Sequence, residues 1–537
     1  MYARPGNQRL VTSVCLALLV AACGGGGDGP TAPGPGPSQP ARNAPGVHAV
    51  LGAGITDTID AQPLQALVVE VRGPDGQLAT GAVVRFQAQP PADTTRRNEP
   101  AVSVCALTAP TCGQSGSVSQ FTTDTTDAQG RAKASVRLGH VAGRAVVQLT
   151  VPEFGMEDSA TFTVLPGAAA RVRALATDTA LAIGATANLR GYVVDRYNNS
   201  RPETAVLSAG PGTALTIDAT TGVVTGRDMG TQWLFMRALQ SSVDSTRVRV
   251  LPSGRLVVWS SNEAAVRLVN LDGSVPRTVA TSIASDLGAF PRFDAARKGI
   301  TMHDGSQYNG GPPNSVIVID TTGSPRRDLG PDVGFATVIA TRQIADGTLL
   351  VVGKTVAGTP CAGFALYRVA ADNSLTCVAA LPGLGATYGA ADISHDGTRV
   401  AYVGTDASNP SASPFELRVL DVATGATTVL EPTASTPRWS ASDDRVAYLV
   451  PNSAVYNGID GTAVIINADA TGRKALGSFI FSPGLAWSPD GTYIVGRNSG
   501  TSDTALRVIR ISDGANVLLR FRTATGTTAD YYQPDWR

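Results

Sequence analysis

Apolar and polar residues alternate in short runs along most of the chain. Leu67-Val68-Val69-Glu70-Val71-Arg72 leads into the turn Gly73-Pro74-Asp75-Gly76, and Gly81-Ala82-Val83-Val84-Arg85-Phe86 follows. Ala145-Val146-Val147-Gln148-Leu149-Thr150-Val151 repeats the pattern. A period of two between turn signals predicts half-buried β-strands. From residue 253 onward the runs acquire a longer rhythm. Trp487-Ser488-Pro489-Asp490-Gly491-Thr492-Tyr493-Ile494-Val495 reads as a strand end, an Asp-Gly turn and a new strand. Looser copies stand at Ile393-Ser394-His395-Asp396-Gly397 and at Trp439-Ser440-Ala441-Ser442-Asp443. Repetition at 40 to 50 residues signals a propeller of four-stranded blades. The fold class is therefore all-β.

The innermost strand of each unit, strand A, is expected to end at Phe293, Gln343, Ile393, Trp439, Trp487 and Trp536, at intervals of 45 to 50 residues. Arg255-Leu256-Val257-Val258-Trp259 fits a second strand, B, with no strand A before it. Gln533-Pro534-Asp535-Trp536-Arg537 fits a strand A with no B after it. The last strand should thus complete the first blade, giving six blades with Trp536 in the closing seam. The Trp-Ser-Pro-Asp-Gly repeat resembles that of TolB-type propellers, over residues 253–537 only. TolB's own N-terminal domain is missing, so that family's partner contacts do not carry over.

Two further modules precede the propeller. The order strand, Pro-Asp-Gly turn, Val-x-Phe strand, then Thr126-Asp127-Ala128-Gln129-Gly130-Arg131-Ala132 resembles bacterial Ig-like domains of the invasin/intimin type, over 47–165. Residues 90–119 depart from that pattern and are expected to form a loop. Residues 166–252 resemble a second bacterial Ig-like type, through Leu181-Ala182-Ile183-Gly184 and Ile217-Asp218-Ala219-Thr220-Thr221-Gly222. In such proteins these modules serve mostly as spacers or adhesive stalks.

The first residues set the expected compartment. Arg4 and Arg9 precede the apolar run Leu10 to Ala22, which is short for a membrane span. Leu19-Val20-Ala21-Ala22-Cys23 resembles a bacterial lipobox, which implies a signal peptide over 1–22 and lipidation of Cys23. An ordinary signal peptide with a chance Cys is the alternative. Residues 23–46 read as the lipidated Cys and a disordered Gly/Pro tether. Several acyl chains would hold the chain on a membrane. Gly24 after the Cys favours the outer membrane by enterobacterial sorting, facing either the periplasm or the surface. Cys15 would leave with the signal. Cys105, Cys112, Cys361 and Cys377 then form an even set, suited to two local disulfides in an oxidising compartment.

Charge and chemistry narrow the function. Lys and Arg number 43, as do Asp and Glu. That balance argues against a nucleic-acid partner, which needs a basic face. Four His residues, two of them in the propeller, fall short of the His-rich metal centre of some propeller lyases. A Gly-x-Ser-x-Gly elbow is absent, and neither metal nor cofactor is expected.

Aligning the blades gives the best site candidate. The residues just before the strand A ends are Arg292, Arg342, Asp392, Arg438, Ala486 and Asp535, five of six charged. They should ring the central channel, either gripping an anionic or peptide ligand or locking adjacent blades by Arg–Asp pairs. Long B–C connections at 305–314, 354–363, 406–415 and 451–461 put candidate contacts Tyr308, Tyr388, Phe415 and Tyr456, with Tyr531 and Tyr532, on the opposite face from the Asp-Gly turns. The Trp-Ser-Pro-Asp-Gly motif itself is then a register mark away from the site. The expectation is a non-catalytic, envelope-anchored protein presenting a head for protein or glycan binding. A propeller enzyme on carbohydrate or peptide, or an adhesin binding through its Ig-like modules, are the rivals.

Overall fold

The computed structural model describes residues 44–109, 112, 120–174, 178–238, 242–274, 276–281, 290–294, 296–304, 315–324, 327–329, 333–356, 360–384, 390–404, 415–451, 460–498, 505–521 and 530–537. The regular elements among the described residues are strands, apart from two short 3-10 turns. The chain divides into two compact units, Met1–Leu165 and Pro166–Arg537. The lipobox and residues 23–43 of the tether lie outside the described residues; the tether's expected end at 46 is corrected, because Gly46 already opens the first strand.

In the first unit one sheet runs Gly46–Leu51, Leu67–Arg72, Arg131–Leu138, Val102–Cys105, and the other runs Thr56–Thr58, Met156–Leu165, Gly143–Val151, Val83–Ala88, Phe121–Thr125. Arg131–Leu138 alternates exposed and buried residues, as its sequence does. Val69, Phe86, Val136, Leu149 and Phe162 are buried. The expected loop over 90–119 is corrected in part. Val102–Cys105 is a strand, buried at all four positions and paired with Arg131–Leu138. Val102 and Val104 are too apolar to stay in a solvated loop, and the Cys105–Cys112 disulfide ties the strand's end.

The second unit begins with three small sheets around Val172, Val224, Leu234, Met236 and Val248. Six blades follow. Blades 2, 3 and 4 are separate four-stranded antiparallel sheets, with strands A Arg292–Phe293, Phe335–Gln343 and Ala391–Ile393. Blades 5 and 6 form one seven-stranded sheet, because the 14-residue strand Lys474–Trp487 serves both. Its first half pairs with Gly461–Asn467 as the outer strand of blade 5, and its last residues pair with Tyr493–Asn498 as strand A of blade 6. Blade 1 runs Arg277–Thr281, Ala265–Asn270, Arg255–Ser260, Tyr531–Trp536. Trp536 stands opposite Leu256, so the C-terminal strand closes the ring as expected. All six strand A ends fall at the anticipated residues.

The small module is joined to blade 1 by Pro252-Ser253-Gly254 and packs directly on the ring. Met229 and Leu251 share a buried cluster with Leu256, Val495, Val508 and Trp536. Arg249 Nη1 donates to the Leu518 carbonyl at 3.0 Å, and Arg510 pairs with Asp228. Gly254 has φ +147°, and a Cβ there would meet Trp536 Nε1 at 2.0 Å. Only glycine lets the linker cross the closing Trp so closely.

Candidate functional site in the propeller channel

The turns after strand A are built by short polar side chains. Ser488 Oγ donates to Asp490 Oδ1 at 2.5 Å and accepts from the Tyr493 amide at 2.8 Å. Gly491 adopts φ +66°, as an Asp-Gly turn requires. Ser394 and Asp396 repeat the device at 2.6 Å, and Ser440 and Asp444 at 2.7 Å. These turns fix where strand A ends in blades 4, 5 and 6.

The terminal aromatics fill the seams between blades. Arg399 of blade 4 lies over the Trp439 ring of blade 5 at 4.7 Å, and Arg445 of blade 5 over Trp487 of blade 6 at 4.8 Å. Tyr493 of blade 6 stacks on Trp536 at 6.2 Å, and Arg537 covers Phe293 of blade 2 at 5.3 Å. Cation–π contacts thus recur around the ring.

One residue earlier, the side chains turn inward. Arg292, Arg342, Asp392, Arg438, Ala486 and Asp535 all line one pocket of about 130 Å³ at the channel. The first four are at least 95% buried. Arg342 Nη2 bonds Asp392 Oδ1 at 3.1 Å, joining blades 3 and 4. Asp392 Oδ2 accepts the Trp439 amide at 2.9 Å, and Asp535 Oδ2 accepts the Phe293 amide at 2.7 Å. Arg292 and Arg438 each bond the preceding prolyl carbonyl, Pro291 at 3.0 Å and Pro437 at 2.6 Å. The carboxylates therefore bridge blades, while Arg292 donates to a neutral prolyl oxygen.

Electrostatics follow from that division. Burial opposes charge on Asp392, yet Arg342, Arg438 and Arg292 outweigh it and hold the carboxyl below its ordinary range. Burial likewise opposes the Arg342 charge, and Asp392 and Asp535 more than restore it. Arg438 is lowered to about 9, first by burial and then by Arg292. Arg292 is lowered too, again by burial first. The ring carries three Arg against two Asp, a surplus of one positive charge.

The ring residues are brought together as the alignment anticipates. The face is where expectation and geometry differ. Trp487 and Pro489 of the repeat motif line this pocket, as do Arg297 and His395 from equivalent turns. The motif is a register mark and also part of the wall. His395 Nδ1 lies 2.9 Å from Asp443 Oδ1, bridging blades 4 and 5. His395, Ala441 and Pro489 each stand two residues past a strand A end. The same alignment of the blades carries that signal, two residues past the strand end rather than one before it.

Among the loop aromatics, Tyr308, Tyr388 and Tyr456 lie outside the described residues. Tyr531 and Tyr532 are not in a loop but open strand A of blade 1. Tyr531 is buried, with its ring 5.2 Å from Phe521. It is core because strand alternation turns it inward. Tyr532 is half-buried under Arg497 at 4.1 Å. Phe415 packs against the core between blades 3 and 4. Both expected disulfides are present, with Cα separations of 5.5 Å for Cys105–Cys112 and 5.8 Å for Cys361–Cys377.

No family model and no curated protein matches the chain. Solved structures do. TolB from Acinetobacter baumannii is 12% identical, with 62% of this chain and 82% of that chain covered and a TM-score of 0.42. A putative TolB from Agrobacterium tumefaciens is 12% identical, covering 52% and 91% with a TM-score of 0.34. An oligogalacturonate lyase in complex with manganese is 16% identical, covering 51% and 77% with a TM-score of 0.32. The likeness is one of fold and carries no argument about activity.

Proposed function

We propose that the chain is a non-catalytic binding protein of the bacterial cell envelope, anchored by lipid on Cys23 and presenting its propeller to a protein or glycan. The lipobox resemblance and the Gly/Pro tether support the anchoring and the outer-membrane placement. The pocket where three buried Arg face two Asp supports the binding role. Its surplus positive charge and aromatic walls suit one carboxylate-bearing group of the ligand, an acidic side chain or a chain terminus. The Arg292 guanidinium, bonded through Nη1 to the Pro291 carbonyl, has further N–H groups to offer an incoming anion.

The test is a thermal-shift titration with succinate and, as the neutral control, succinamide. Succinate should raise the unfolding midpoint of the wild type and have little effect on Arg292→Met/Arg438→Met, while succinamide does nothing in either. An equal response to both compounds, or an undiminished succinate response in the double variant, would overturn the proposal.

A further inference from the structure

We infer that the outer face of the small module's four-stranded sheet is a platform for an acidic sugar chain. This goes beyond the channel pocket and rests on different residues. Strand Gly230–Ala238 buries Gln232, Leu234 and Met236, leaving Trp233 and Arg237 exposed with Phe235 half-buried between them. Pairing extends that face: Trp233 stands opposite Arg247, Arg237 opposite Val243 and, on the edge strand, Val206 opposite Arg237. Trp233 is 49% exposed, Val243 51% and Val206 71%. An indole left in water in mid-sheet, ringed by more apolar surface, marks a contact site.

One end of this face is already in use. Ala180 packs into the cluster shared with the propeller, and Arg249 donates to blade 6 at Leu518. The open part continues outward from that interface. Charge selects the occupant. Among the described residues, Arg237, Arg247 and Arg249 share the face with a single carboxylate, Asp178, which lies 2.9 Å from Arg247 and 3.3 Å from Arg249. A flat indole takes the C–H face of a pyranose, and guanidiniums beside it take a ring carboxylate as a fork.

The experiment is calorimetry on the full chain with β-1,4-glucuronate oligomers and with glucose oligomers of the same linkage and length. The acidic oligomer should bind at least about tenfold more tightly, as expected for a charge-assisted hydrogen bond. Trp233→Ala should abolish binding and Trp233→Phe retain most of it. Arg237→Gln/Arg247→Gln should level the two oligomers. Absence of binding, equal affinity for both oligomers in the wild type, or acidic binding that survives Trp233→Ala would each overturn the platform. If that surviving binding is lost in Arg292→Met/Arg438→Met, the channel pocket is its seat, so the two proposals fail separately. Circular dichroism melts confirm that each variant is folded.

Discussion

The closing strand gives the sharpest quantitative expectation. Trp536 is 4% exposed and is surrounded by Leu256, Val258, Val495 and Tyr531, from both ends of the ring. Truncating a buried Trp costs about 3–5 kcal/mol, the lost transfer energy plus the cavity left behind. At about 2 °C per kcal/mol for a large domain, Trp536→Ala should lower the unfolding midpoint by about 6–10 °C. The assay is scanning calorimetry of the full chain, following the transition of the second unit. Trp233→Ala is the internal control, because that indole is half in water, and it should melt within about 1 °C of wild type. Deleting Trp536 and Arg537 together should cost more, since the reciprocal bonds between Arg255 and Arg537 at 2.9 and 3.0 Å go as well. A Trp536→Ala melt at the wild-type temperature would refute the argument that this seam stabilises the ring.

Three more outcomes follow from the same contacts. Asp392→Asn removes the charge that answers Arg342 and should cost about 3–5 kcal/mol by urea unfolding, as for other broken buried pairs, while enlarging the succinate effect; a wild-type midpoint would refute it. Arg510 holds the Asp228 carboxyl below its ordinary range and Asp513 at about 2, so its contribution is complete above about pH 4 and fades as pH falls toward 2. The stability gap between wild type and Arg510→Gln should therefore be widest near pH 6 and close toward pH 2, and a constant gap would contradict this. Replacing Cys361 and Cys377 by Ser opens a loop of sequence separation 16 and should cost about 3 kcal/mol in calorimetry; an unchanged midpoint would contradict the loop-entropy argument.

Much of the propeller was legible because its signal is repeated. Five of the six strand A ends are aromatic or aliphatic, and the recurring copies correct one another's noise, Gln343 included. That the C-terminal strand completes the first blade followed from counting strands, with no tertiary information. What could not be read depends on contacts between distant segments. The merging of two blades through Lys474–Trp487 needs the backbone to run on from the outer strand of one blade into strand A of the next. Met229 and Leu251 look like ordinary core residues in sequence, and nothing local says that their core is shared with the ring. Tyr531 illustrates the remaining difficulty: one residue of register separates a loop contact from a buried ring.

The shared first blade also has a consequence for timing. Strand Arg255–Ser260 emerges from the ribosome about 270 residues before the strand that completes it, as the bond from Ser261 to Asp530, 269 residues apart, makes plain. Until then its inner edge is an unpaired row of amides and carbonyls, open to any passing strand. Five blades must form before the ring can protect its own beginning. Such long-range closure is slow, and the waiting edge is the part of the nascent chain with most to gain from a chaperone.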